Sequence, residues 1–214
     1  MQKEYGILFD LDGTLWDSAE GVVDSWNERL AQLGEPERVT LEMIQKVMGM
    51  TMEQIAFVIF GEEDKDRALR LLKECTDHEN EYLSAHGGVL YPKVEETLRK
   101  LHETYFLAVV SNCQLGYIEA FLSYHKLGEY FDDTESYGNT GKDKDVNIRL
   151  VTERNNLKKA VYVGDIMGDY KSTMKAGLPF LHAAYGFGEV PEGTPFVNEF
   201  CELPDAVKAV FDEQ

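Results

Sequence analysis

The stretch Tyr5-Gly6-Ile7-Leu8-Phe9-Asp10-Leu11-Asp12-Gly13-Thr14 passes from unbroken apolar sequence into two aspartates one residue apart, then a glycine and a threonine. An apolar run of strand length without alternation reads as a strand buried on both faces, as in a parallel sheet covered by helices. Two other runs share the form: Phe106-Leu107-Ala108-Val109-Val110-Ser111 and Ala160-Val161-Tyr162-Val163-Gly164-Asp165. Each is rich in Val or aromatic residues and ends in a small or acidic one. Residues 179–184 read as a fourth strand.

Between these runs the apolar spacing turns helical. Val94, Leu98 and Leu101 precede the second run, Ile118, Phe121 and Leu122 follow it, and Ile148, Val151 and Leu157 lead into the third. Residues 203–211 read as a closing helix. Alternating strand and helix predict a doubly wound α/β fold with a parallel sheet. One interval breaks the alternation. Ala19, Val22, Val23, Trp26, Leu30 and Leu33 make one helical stripe; Ile55, Phe57, Val58 and Phe60 make another; Leu69, Leu72, Tyr82 and Leu83 a third. A crossover between parallel strands needs a single helix. The expectation is therefore an inserted helical subdomain over residues 17–86 and a core of residues 1–16 and 87–214. Gly34-Glu35-Pro36 and residues 61–64 punctuate the insert, and Gly87-Gly88 with Pro92 mark the return.

A composition of 43% hydrophobic and 28% charged residues fits a soluble globular chain. The formal charge of −18 repels polyphosphate backbones and anionic lipid, which argues against nucleic acid and membranes as partners. It also means that a bound phosphate group must find its positive charge locally. Cys75, Cys113 and Cys201 are scattered and form no Cys-x-x-Cys pair, so neither a disulfide framework nor a thiolate zinc site is expected. The polar Met1-Gln2-Lys3-Glu4 leads straight into the first strand, and no apolar run nears the roughly 20 residues of a membrane span. A cytoplasmic protein is expected, with its oligomeric state, monomer or dimer, left open.

Ligands of open α/β sheets bind beyond the carboxyl ends of the strands. That directs attention to Asp10 and Asp12, to Ser111 and Asn112, and to Asp165 and Asp169. Residues two apart leaving a strand can present side chains to one region. Two carboxylates so close repel each other, and a divalent cation relieves the repulsion. Carboxylates, a backbone carbonyl and water suit Mg²⁺ far better than zinc, and Asp165 is the natural second ligand. Gly13 lets the chain turn tightly and approach an anion, and Thr14 can tie down that turn through its hydroxyl.

Phe-Asp-Leu-Asp-Gly-Thr-Leu over residues 9–15, Val-Val-Ser-Asn over 109–112 and Val-Gly-Asp-x-x-x-Asp over 163–169 resemble, in order, the signature motifs of the haloacid dehalogenase-like superfamily. The insert is similar to that family's helical cap. Met174-Lys175-Ala176-Gly177-Leu178 and Tyr185-Gly186-Phe187-Gly188 resemble its phosphoglycolate phosphatase branch. The resemblance implies a Rossmann-like core and a Mg²⁺-dependent phosphatase. Asp10 would attack phosphorus and form an aspartyl-phosphate. Asp12 would act as general acid and then general base, its carbonyl joining Asp10 and Asp165 around the metal. Ser111, Asn112 and a lysine would hold the phosphate. Thr14 and Asp169 would sit one layer out, Asp169 orienting metal-bound water or the lysine. An aspartate at position 12 argues against dehalogenation, which needs no such acid/base group.

The lysine departs from the family pattern. Many relatives carry Lys-Pro; here the stretch is Gly141-Lys142-Asp143-Lys144-Asp145-Val146-Asn147-Ile148. Counting back from Ile148 places Lys144 at a helix entrance, pointing inward, whereas a gapless count from Asp165 favours Lys142. Lys144 is preferred and Lys142 is its competitor. Lys46 and Gly49, between two helices of the insert, are candidates for substrate selection. The expected substrate is a small phosphate ester, phosphoglycolate-like or a sugar phosphate. A pyrophosphatase, a phosphomutase of the β-phosphoglucomutase type and a non-catalytic phosphate-binding regulator are the other readings.

Overall fold

A computed structural model describes residues 3–36 and 38–212. In chain order its elements are β1 (Tyr5–Phe9), β2 (Trp16–Asp17), α1 (Ala19–Leu33), α2 (Leu41–Val47), α3 (Met52–Phe60), α4 (Lys65–His86), β3 (Val89–Leu90), α5 (Val94–His102), β4 (Phe106–Ser111) and α6 (Tyr117–His125). Then come β5 (Asp133–Ser136), α7 (Tyr137–Thr140), α8 (Lys144–Arg154), β6 (Lys159–Gly164), α9 (Met167–Ala176), β7 (Phe180–Ala183), β8 (Phe196–Val197) and α10 (Leu203–Asp212).

The main sheet has the order β5-β4-β1-β6-β7-β8, and each neighbouring pair is parallel. The strands expected from continuous apolar runs occupy its centre and are buried throughout β4 and nearly throughout β1 and β6. Successive side chains point to opposite faces, and the packing follows. Ile7, Phe9, Leu107, Val109, Val161 and Val163 join the cluster that contains the apolar faces of α5, α6 and α10. Leu8, Ala108, Val110 and Tyr162 join a second cluster with Ile148 and Val151 of α8. Helices on both faces make this a doubly wound α/β fold.

Residues 19–86 hold α1 to α4 and, among the described residues, no strand. Their boundaries have local causes. Gly34 ends α1 in the left-handed region at φ 73°, where a side chain would be strained. The Thr40 hydroxyl accepts from the Met43 N–H to open α2, and the Asp64 carboxylate accepts from the Arg67 N–H at 2.9 Å to open α4. α4 packs against α1 and α3 and reaches across to α6. The exit and return of the insert lie side by side, because β2 and β3 pair antiparallel with Trp16 opposite Leu90. Among the described residues no helix is long and apolar enough to cross a membrane.

Three pieces lacked an apolar signature. β2 and β8 are two residues each, and β5 is the polar Asp-Thr-Glu-Ser at a sheet edge. Arg154 compensates the acidic edge, with Nε 2.7 Å from Asp133 Oδ2 and a guanidinium nitrogen 2.6 Å from Glu135 Oε2.

Leu8 is fully buried in the central strand. Leu8→Ala is expected to cost about 2–5 kcal/mol, read by urea unfolding. A loss below about 1 kcal/mol would show that β1 is not the packed centre described.

Candidate functional site

Because β4, β1 and β6 are adjacent, Ser111, Asp10 and Asp165 leave the carboxyl edge of the sheet side by side. The Asp10 N–H still donates to the Val163 carbonyl at 2.8 Å, so the Asp10 backbone is fixed by β6. Gly13 then turns the chain at φ 79°, and a Cβ there would lie 2.1 Å from Asp165 Oδ2. Glycine is required both for the turn and for this approach. The Thr14 and Leu15 N–H groups close the turn on the Leu11 carbonyl. Contrary to the sequence reading, the Thr14 hydroxyl does not tie the turn: it points across to Asp165 Oδ1 at 3.5 Å.

Lys144 is the first residue of α8, one turn before buried Ile148 on the same face, and is itself buried. Its Nζ lies 2.9 Å from Asp10 Oδ1 and 2.6 Å from Asp169 Oδ1. Lys142 is exposed, and its carbonyl accepts from Asn147. Asp169 sits in the first turn of α9, where its Oδ2 accepts from the N–H groups of Asp165 and Ile166 at 3.2 and 3.3 Å. Asp165 Oδ2 accepts the Phe187 N–H at 2.8 Å. That donor comes from the Tyr185-Gly186-Phe187-Gly188 turn, anchored by the Tyr185 hydroxyl on the Thr14 carbonyl at 2.9 Å.

Carboxylate oxygens of Asp10, Asp165 and Asp169 gather within 4.8 Å of one another, all three residues buried. Burial, then the charge of Asp169, pushes the Asp10 carboxyl up to about 7, against the pull of Lys144. Burial, then Asp169 and Asp10, pushes Asp165 up to about 8. For Lys144, burial works against the charge, yet Asp10 and Asp169 outweigh it and hold the ammonium well above its usual range. The repulsion that the sequence reading placed between Asp10 and Asp12 thus lies among Asp10, Asp165 and Asp169. One lysine facing three buried carboxylates leaves a charge deficit that a divalent, oxygen-seeking cation fits. Asp169 already spends its oxygens on Lys144 and two N–H groups, which leaves Asp10 and Asp165 as the freer donors.

Asp12 is held differently. The Trp16 indole N–H at 2.9 Å and the Ser18 hydroxyl at 2.7 Å both donate to its Oδ1, with the Tyr117 hydroxyl 2.8 Å away. Burial raises its pKa, opposed by the hydrogen bonds of Ser18, Tyr117 and Trp16. The three hydroxyl and indole groups converge on Oδ1, and Asp12 lines a cleft together with Asp10, Ser111 and Asn112.

That cleft separates these strand ends from the helical insert. Gly49 lines it, and the Gly49 carbonyl accepts from Asn112 Nδ2 at 3.0 Å, which pins the insert to the end of β4. Lys46 is exposed and does not line the cleft. Tyr117, and Glu79 of α4, line it without belonging to any sequence motif. A signal for Glu79 existed, since it stands one turn from Cys75 and one from Leu83, a carboxylate in an apolar stripe.

The chain resembles known proteins over most of its length. The family model for haloacid dehalogenase-like hydrolases matches residues 7–183. Phosphoglycolate phosphatase of Aliivibrio fischeri is 27% identical over 96% of this chain and 92% of its own length. That of Nitrosospira multiformis is 30% identical over 86% of this chain and 84% of its own. Among solved structures, CbbY from Rhodobacter sphaeroides in complex with phosphate superposes with a TM-score of 0.79 at 22% identity, covering 94% of this chain and 96% of CbbY.

The carboxyls of Asp10 and Asp165 lie above the unfolded value of about 3.9. Their contribution to stability is full below that value and is lost as pH rises through about 7 and about 8. Protein stripped of divalent cations is therefore expected to melt lower near pH 9 than near pH 6, with Asp165→Asn flattening the slope. An unchanged slope in the variant contradicts this repulsion.

Proposed function

The chain belongs to the haloacid dehalogenase-like hydrolase family, and from that premise we propose that it is a Mg²⁺-dependent phosphatase acting on a small phosphate monoester through an aspartyl-phosphate on Asp10. The observation that carries the reading is the buried Lys144 ammonium between Asp10 and Asp169, with Asp165 converging on the same point. Residues 1–16 and 87–214 form the catalytic core in this account, and residues 17–86 a lid.

Asp10, kept in place by Lys144, supplies a carboxylate oxygen to phosphorus in line with the ester bond. The new Oδ–P bond forms as the ester P–O bond breaks, and the leaving oxygen takes a proton from Asp12. The raised pKa of Asp12 suits a group that must carry that proton. Water then gives a proton back to Asp12 as its oxygen bonds phosphorus. The Asp10–phosphorus bond breaks, releasing inorganic phosphate and restoring the carboxylate. The Ser111 hydroxyl, the Asn112 backbone N–H and Lys144 hold the phosphoryl oxygens. Mg²⁺, held by Asp10, the Asp12 carbonyl and Asp165, would supply the positive charge that lets an anionic nucleophile approach an anionic phosphate. Thr14 and Asp169 position Asp165 and Lys144.

A lid pinned by the Asn112–Gly49 hydrogen bond must open for entry and close to exclude water. A phosphomutase would hold a second phosphate, yet no Lys, Arg or His is among the residues lining the cleft. The free cysteines and the −18 charge fit a cytoplasmic enzyme of small molecules.

Phosphate release from a panel of monoesters with Mg²⁺ tests the reading. Asp10→Asn and Lys144→Ala should each lower kcat by about 10³-fold or more, while Lys142→Ala stays within about threefold of wild type. Chelation should abolish turnover and Mg²⁺ restore it. Equal losses in the two lysine variants, or turnover in Asp10→Asn, contradict the assignment.

A further inference from the structure

The wall of the cleft opposite the strand ends is apolar, made by Val22, Trp26, Ile44, Val47, Met50 and Ile55. In this wall stands one charged side chain, Glu79 of α4, 4% exposed. Its Oε2 accepts from the Trp26 indole N–H and its Oε1 from Gln114 Nε2 at 3.1 Å. Gln114 follows Ser111 by three residues, so Glu79 is tied to the loop that leaves β4. Among the described residues no cation offsets its charge, and burial pushes its carboxyl up to about 7. A buried carboxyl with two hydrogen bonds and no counter-charge is costly. Both of its oxygens already accept from N–H groups, and once ionised, above about pH 7, it adds no donor to the cleft that it lines. Asn112, also on the cleft, has a buried Oδ1 without a partner. The cleft beyond the phosphate end therefore offers acceptors and apolar surface, and no cation to receive an anion.

We propose that this cleft takes the departing group of the phosphate ester, and that Glu79 selects a short aliphatic group ending in a hydrogen-bond donor, a hydroxyl or an ammonium, and rejects one ending in a carboxylate. The inference rests on the phosphatase reading and narrows its substrate class. A carboxylate brought against ionised Glu79 would meet like charge in a desolvated wall, with Asn112 Oδ1 still unpaired. A donor satisfies an open acceptor, and an ammonium also supplies the missing counter-charge. A site built to receive a hydrogen bond discriminates strongly against a group that cannot make it. Glu79 is thus a specificity residue remote from the reacting atoms.

Binding measured without turnover keeps this inference separate from the reaction. Calorimetric titration of the Asp10→Asn protein in Mg²⁺ near pH 8.5, where Glu79 is ionised, with 2-aminoethyl phosphate, 3-hydroxypropyl phosphate and phosphoglycolate is expected to show a donor-ended ester binding about tenfold or more tighter than phosphoglycolate. The first two ligands distinguish ammonium from hydroxyl. Adding Glu79→Gln should shrink that preference about tenfold, chiefly by weakening the donor-ended ester. Phosphoglycolate binding as tightly as both others, a preference that survives Glu79→Gln, or no binding by any of the three would overturn the proposal. The order of affinities in the Glu79-containing protein decides even where Glu79→Gln fails to fold. Failure of the wild-type enzyme to hydrolyse any ester would remove the phosphatase reading and leave this order standing.

Discussion

The Lys144 ammonium, buried between Asp10 and Asp169, is the contact on which the site depends. It offsets part of the repulsion among three carboxylates gathered out of water, yet Asp10 and Asp165 still rise to about 7 and about 8. One charge cannot balance three, and the deficit is what makes the cluster a place for a divalent cation. The fold supplies the components from separate parts of the chain. β1 delivers Asp10, β6 delivers Asp165, the first turn of α9 delivers Asp169, and the first residue of α8 delivers Lys144. Parallel order β4-β1-β6 brings them to one edge, so sheet topology and site geometry are a single constraint.

The same contact resolves the puzzle of an acidic chain that would handle phosphate. A formal charge of −18 describes the surface, whereas the site is buried and reads a local balance. Lys144, backbone N–H groups and a divalent ion would supply positive charge over a few ångströms, where a low dielectric strengthens each interaction. The surrounding negative field disfavours polyanions without reaching far into the cleft, because salt screens it within about 8 Å.

Much of this was legible in the sequence, for a physical reason. Strands buried on both faces must be apolar throughout, so β1, β4, β6 and β7 announced themselves, and the acids ending two of them stood out. β5 did not, because an edge strand held by Arg154 can be polar. Counting spaces Lys144 and Lys142 almost alike; only burial beside Asp10 separates them. The Thr14 hydroxyl was expected to act locally and instead reaches Asp165, a contact set by how closely β6 passes Gly13. Phe187 contributes a backbone N–H and Tyr117 reaches Asp12 from far along the chain, so no local motif encodes either, whereas Trp16 and Ser18 meet Asp12 from the turn that follows it. Glu79 was visible as an acid in the Cys75–Leu83 stripe, but its meaning needed the cleft that it lines.

The central claim is that Asp10 carries phosphorus covalently. Acid quenching of the wild-type enzyme during turnover of p-nitrophenyl phosphate with Mg²⁺, followed by peptide mass spectrometry, addresses it directly. The account predicts one added phosphoryl group, removable by hydroxylamine, on the peptide containing Asp10. A phosphoryl group on any other residue, or turnover with no covalent adduct at any quench time, would contradict it.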